Sequence, residues 1–142
     1  MGRGFLSERV KLTKVTDHTT AGTSAINSGS VDMTGYKGVI FFTSFGTAAV
    51  DNTIEAASST DDSTFADIAG TNVVPGASDE DVWVDVWGPP NRYVRCEIAR
   101  GTSSTCESIW AIQYDPVTSP QDNTTTGTIA GEAHAQPIAG TA

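Results

Sequence analysis

Two histidines, two cysteines, three tryptophans and seventeen carboxylates are the side chains with which this chain could do chemistry. A metal site or an acid/base pair needs several of them to converge. His18 and His134 both lie in polar, loop-like stretches, and Asp17 beside His18 is the one local hint of a partner. Solvated loop histidines are the expectation. Asp79-Glu80-Asp81 with Asp85 offers oxygens for a cation, but the spacing does not alternate them around an ion as a calcium loop does, so a solvated acidic turn is expected. Among the acids no pair stands out for glycoside hydrolysis, and no Gly-rich phosphate loop, nucleophile elbow or paired-cysteine motif is present. The reading is a non-enzymatic protein with no cofactor, no metal and no catalytic residue.

Three further groups bear on binding. Trp83, Trp87 and Trp110 suit subunit-interface or core packing, or else a sugar-stacking platform, and packing is the favoured reading. Arg92, Arg95 and Arg100 are three of four basic residues beyond the first fourteen positions; on an acidic chain they are expected to pair with nearby carboxylates. Cys96 and Cys106 are too few for a disulfide scaffold and lack zinc-site spacing. A hairpin turning at Gly101 would place them opposite each other, yet two small buried thiols are the simpler expectation.

The elements that must position these groups follow from composition. The 142 residues suit one domain. They include 12 Val, 9 Ile and 20 Thr but only 2 Leu, and Leu, Lys, Arg, Met, Gln and Glu together number 21, too few to build ordinary helices. Strand-like segments at 39–45, 52–58, 82–87, 93–100 and 105–114 are separated by turn residues. Val82, Val84 and Val86 alternate with Trp83, Asp85 and Trp87, and Val94, Cys96 and Ile98 alternate with Tyr93, Arg95 and Glu97. Val39-Ile40-Phe41-Phe42 is apolar at every position, the pattern of a strand covered on both faces. The expected fold is all-β, a single β-sandwich or jelly-roll-like domain with extended N- and C-terminal arms. Its parts are a basic arm or strand at 1–16, a sandwich body at 17–116, opening on a polar loop at 17–30, and a polar C-terminal arm at 117–142. That arm contains no Lys, Arg or aromatic residue and is expected to be mobile in isolation.

Net charge is −9, with +3 concentrated in the first fourteen residues and nine acids without a base between Asp51 and Pro90. Such a body repels phosphate backbones and anionic lipid, so neither nucleic acid nor membrane is an expected partner. The longest apolar run, Val39 to Phe42, is far too short for a membrane helix, and no basic-then-apolar leader is seen. A soluble protein made and kept in a cytoplasm is the expected setting.

The segments Tyr36-Lys37-Gly38-Val39-Ile40-Phe41-Phe42, Ser59-Thr60-Asp61-Asp62-Ser63-Thr64-Phe65-Ala66-Asp67-Ile68, Asn91-Arg92-Tyr93-Val94-Arg95, Ala99-Arg100-Gly101-Thr102 and Ala111-Ile112-Gln113-Tyr114, with the ending Pro137-Ile138-Ala139-Gly140-Thr141-Ala142, resemble a small virion structural protein of tailed bacteriophages, the capsid decoration or cement type. The likeness runs from about Val31 onward and leaves residues 1–16 uncovered. It implies a β-sandwich that binds the outer surface of the major capsid protein shell, stabilises the head and sits there as a homotrimer, so that the chain belongs to the virion. Extended ends suit a protein that ties subunits together by strand addition, with many weak contacts adding up over a symmetric shell. Arg3, Phe5, Arg9, Lys11, Pro137 and Ile138 are the candidate capsid contacts, and Trp83, Trp87 and Trp110 the candidate subunit interface. A tail or head-completion virion protein, and a carbohydrate-binding β-sandwich module, are the alternatives.

Overall fold

The computed structural model describes residues 4–46, 51–75, 77, 79–136 and 138–141. Arg3 and Pro137, named above as candidate capsid contacts, lie outside the described residues. The chain is all-β and sandwich-like. Its strands are β1 (Val10–Thr16), β2 (Thr19–Gly22), β3 (Ile26–Asn27), β4 (Val31–Asp32), β5 (Gly38–Ser44), β6 (Asn52–Ser59), β7 (Ala66–Asp67), β8 (Asp81–Trp87), β9 (Tyr93–Arg100), β10 (Ser104–Cys106) and β11 (Ile109–Tyr114). The only helical element among the described residues is one 3₁₀ turn, Leu6–Glu8. No helix there is long and apolar enough to cross a membrane.

Period-two patterning decides which side of each strand is buried. In β8 the three valines are buried while Asp81, Trp83, Asp85 and Trp87 are exposed. In β9, Val94, Cys96 and Ile98 are buried. One sheet has the antiparallel order β1-β11-β5-β8, and the other has β3-β9-β6-β7 with β4 also on β9. Their facing sides form one core. It joins Val39, Phe41, Val82, Val84, Val86, Ile109 and Ala111 of the first sheet to Ile26, Val31, Ile54, Ala56, Val94, Cys96 and Ile98 of the second. Burying a Val, Ile or Phe in this way stabilises by about 1.5–3 kcal/mol each, which drives the two sheets together.

Three expectations change. Residues 17–30 are not all loop, because β2 and β3 lie within them. The segment 105–114 is two strands: β10 pairs with β2, whereas β11 joins β1 and β5. The alternative of a hairpin about Gly101 does not form, and the expected two buried free thiols are found. There the amide of Gly101 donates to the Asp51 carbonyl at 3.3 Å and that of Thr102 to Asn52 Oδ1 at 3.3 Å, which turns the chain away from β9. A Cβ on Gly101 would sit 2.7 Å from Asp51, so the close approach needs glycine. Cys96 and Cys106 therefore occupy different sheets; both are free and buried.

The third change concerns the C-terminal arm, whose first part is docked. The Asn123 side chain acts as a strand substitute on β1, donating to the Ser7 and Val10 carbonyls at 2.6 and 2.8 Å and accepting from the Leu12 amide at 2.8 Å. The Gln121 amide donates to the Glu8 carbonyl at 3.0 Å, and Tyr36 Oη donates to Gln121 Oε1 at 2.6 Å. Lys11 Nζ donates to the Asp122 carbonyl. The basic N-terminal stretch thus continues into an edge strand, and the tail caps the first part of that edge at Val10 and Leu12.

Candidate interaction face

The side of the four-stranded sheet turned away from the core collects side chains that are distant in sequence. Register fixes three rows. Trp110 faces Phe42, which faces Trp83; Ile112 faces Ile40, which faces Asp85; Tyr114 faces Gly38, which faces Trp87. From β1, Lys14, Leu12 and Val10 extend the same rows. Trp83, Trp87 and Phe42 are 60%, 69% and 39% exposed, and Ile40, Trp110, Ile112 and Tyr114 are half-buried. A groove of about 530 Å³ opens among Ile40, Phe42, Trp83, Glu107 and Trp110.

Gly38 shapes the third row. Its missing side chain leaves room for the Tyr114 ring, and a Cβ there would lie 2.2 Å from Tyr114 Cζ. The ring reaches across β5, so Tyr114 Oη donates to Asp85 Oδ1 on β8 at 2.7 Å. Burial, then this bond and the Asp85 charge, push the phenol up to about 12. The bond occupies one oxygen of Asp85, the carboxylate between Trp83 and Trp87 on β8.

The three candidate interface tryptophans therefore share one face. Val39 to Phe42 was expected to be covered on both sides, yet this chain covers only Val39 and Phe41 well. The outer residues Ile40 and Phe42 carry a buried strand's character without a cover. Sequence reasoning missed them as site residues for that reason, along with Ile112 and Leu12. For Ile40 and Phe42 the signal was the unbroken apolar run in β5.

Of the candidate capsid contacts, Phe5 and Lys11 are half-buried, Arg9 is exposed and Ile138 is 93% exposed. Phe5 and Arg9 flank the 3₁₀ turn. Lys11 sits on β1 against the tail.

The remaining titratable groups fall into local arrangements. His18 Nδ1 lies 3.2 Å from Glu107 Oε2, and His134 Nε2 lies 3.0 Å from Glu132 Oε1; all four side chains are solvent-exposed. Arg92 donates to both carboxylate oxygens of Asp32 at 3.0 and 2.8 Å, which, with the Thr34 amide, holds Asp32 well below the usual carboxylate range. Arg95 Nε donates to Glu97 at 2.8 Å, and its guanidinium stacks 4.2 Å above the Phe65 ring. Arg100 departs from the expected carboxylate pairing. It is buried, with Nε donating to the Ser24 carbonyl at 2.7 Å and Nη1 to the Thr20 and Ser104 carbonyls at 2.8 Å each. Among the described residues one carboxylate trio, Glu55, Asp67 and Glu97, brings its oxygens within 4.8 Å of one another. It comes from three strands of the second sheet, so no sequence spacing announced it. Arg95 and the Asn72 amide already occupy two of its members.

The physical character of the outer face is therefore apolar and aromatic, with a few carboxylates near its margin, and such surfaces serve association. Comparison with protein-family models, with curated proteins and with solved structures finds no match.

Proposed function

We propose that this protein is a non-enzymatic capsid decoration protein of a tailed bacteriophage, which binds the outer surface of the major capsid protein shell and strengthens the head. The observation that carries the reading is the apolar outer face of the four-stranded sheet, where Trp83, Trp87, Phe42, Ile40, Ile112 and Trp110 lie together. A monomer at work in water gains nothing from this surface, whereas an assembling protein gains the burial of several large rings. The short sequence likeness described above supplies the kind of assembly. In this reading copies gather in threes on the head with the aromatic face covered between them. The ends, through Phe5, Arg9, Lys11 and Ile138 together with Arg3 and Pro137, reach the shell. The acidic body, at net −9, keeps the protein away from packaged DNA.

One feature favours a carbohydrate-binding module: Trp83 and Trp87 are exposed on one strand with Asp85 between them. Against it, the space between the rings and their neighbours is filled by Phe42, Ile40 and Ile112, which offer sugar hydroxyls no hydrogen bonds, and Asp85 is engaged by Tyr114. Cosedimentation of the purified protein with heads lacking it tests the proposal. Saturable binding to heads, with tryptophan fluorescence unchanged by oligosaccharides, supports decoration. Heads that stay bare while sugars shift the fluorescence would favour the module.

A further inference from the structure

The two edges of the four-stranded sheet differ. At β1 the tail caps the backbone of Val10 and Leu12 through Asn123, and Gln121 bonds Glu8 in the preceding turn. At the opposite edge, among the described residues, β8 pairs with β5 alone. In that ladder the Gly88 amide donates to the Lys37 carbonyl at 2.7 Å, so by alternation Val86, Val84 and Val82 exchange bonds with β5. The amides and carbonyls of Asp81, Trp83, Asp85 and Trp87 then point to the open side, and no hydrogen-bond partner meets them among the described residues. The seven-residue strand carries no lysine, proline or bulge that would blunt it. Along this edge runs a groove of about 470 Å³ whose far wall includes Val73, Val74 and Pro75, with Val74 53% exposed.

We propose that β8 pairs antiparallel with β8 of a second copy of this chain, about a twofold axis at Val84, to give one continuous eight-stranded sheet. The register follows from the residues. With the axis at Val84, Asp81 faces Trp87 and Trp83 faces Asp85, so every open amide and carbonyl of the four residues is matched and no carboxylate faces another. Moving the axis to Trp83 sets Asp81 against Asp85. Moving it to Asp85 sets that carboxylate against its own copy, and like charges directly opposite are destabilising. On the inner side Val84 meets Val84 and Val82 meets Val86, which continues the core toward the groove lined by Val73, Val74 and Pro75. The sequence Asp-Val-Trp-Val-Asp-Val-Trp is self-complementary in this one arrangement, which is the ground for a second copy as occupant. The contact is a twofold along a strand edge and does not depend on the capsid reading.

Cysteine crosslinking tests the register. Facing residues in a non-hydrogen-bonded antiparallel pair have Cα atoms about 4.5 Å apart, within reach of a disulfide. Under mild oxidation Val84→Cys is expected to form a covalent dimer. Val82→Cys and Val86→Cys are expected to crosslink when mixed but not singly, and the wild type, with both native thiols buried, not at all. Sedimentation supplies a second arm that leaves the core untouched. Asp85→Pro removes an amide that points away from β5, so the fold keeps its ladder while the pairing loses central bonds. Its mass is expected to fall to half that of the wild type, whereas Asp85→Ala keeps the wild-type mass. Failure of Val84→Cys to crosslink in folded protein, self-crosslinking of Val82→Cys, or an Asp85→Pro variant with the wild-type mass would each overturn the proposal.

Discussion

Replacing Arg100 by methionine is expected to be among the most damaging single changes outside the apolar core. The guanidinium is nearly inaccessible, at 7% residue exposure, and donates to three carbonyls, of Thr20 in β2, Ser24 in the connection to β3, and Ser104 in β10. One side chain of β9 thereby ties the small β10-β2 sheet to the second large sheet. Methionine keeps most of the apolar stem, which isolates the polar loss. Hydrogen bonds to a charged donor are worth about 1.5–3 kcal/mol each, and water can reach some of the orphaned carbonyls, so a net loss of about 3–5 kcal/mol is expected. For a domain of this size that lowers Tm by about 10–15 °C. The comparison is Arg92→Met, which breaks the Asp32 pair where the side chains are 56% and 42% exposed, so solvent screening keeps that loss small. Urea titration followed by tryptophan fluorescence measures both. If Arg100→Met lost no more than Arg92→Met, the assignment of Arg100 as an internal tie would be refuted.

Gly38→Ala places a methyl where the Tyr114 ring lies, so the ring must leave and the bond to Asp85 break; denaturation should show a loss of about 1–3 kcal/mol. The Tyr114 phenol is raised from its ordinary value near 10 to about 12, so the fold favours its neutral form. The stability it contributes is full below about pH 10 and drains away as pH rises toward about 12. Ultraviolet titration should show Tyr114 ionising late, with burial also raising Tyr36, and Tyr114→Phe should remove the Tyr114 step and flatten the alkaline stability profile. Burial pushes the thiols of Cys96 and Cys106 up, so neither should react with a thiol reagent in the folded protein, and both should react once urea unfolds it. Rapid labelling of native protein would contradict the buried positions.

What could be read from the sequence was what alternation encodes. β8 and β9 each interleave aliphatic with polar or aromatic residues, and their buried sides follow that pattern residue by residue. β2 and β3 were hidden because Thr19-Thr20-Ala21-Gly22 and Ile26-Asn27 carry almost no apolar signal; distant partners hold them, Arg100 among them. The docking of the tail was equally silent, since one asparagine side chain standing in for a strand has no periodicity. The three tryptophans were legible as types, but their meeting on one face depends on the registers of β8 with β5 and β5 with β11, which are long-range facts. The unbroken apolar run in β5 did carry information: it implied a cover on both sides, and the outer cover is what the assembly is proposed to supply.

Cryo-electron microscopy of heads lacking this protein, incubated with wild type and with a Trp83→Ser/Trp87→Ser variant, tests that claim most directly. Both indoles are exposed, so the variant should keep the fold within about 0.5 kcal/mol of wild type. Wild-type density is expected at threefold and quasi-threefold positions with the aromatic face covered, and sparse or absent density for the variant. Equal occupancy by the two proteins, or wild-type density with that face turned to solvent, would contradict the claim.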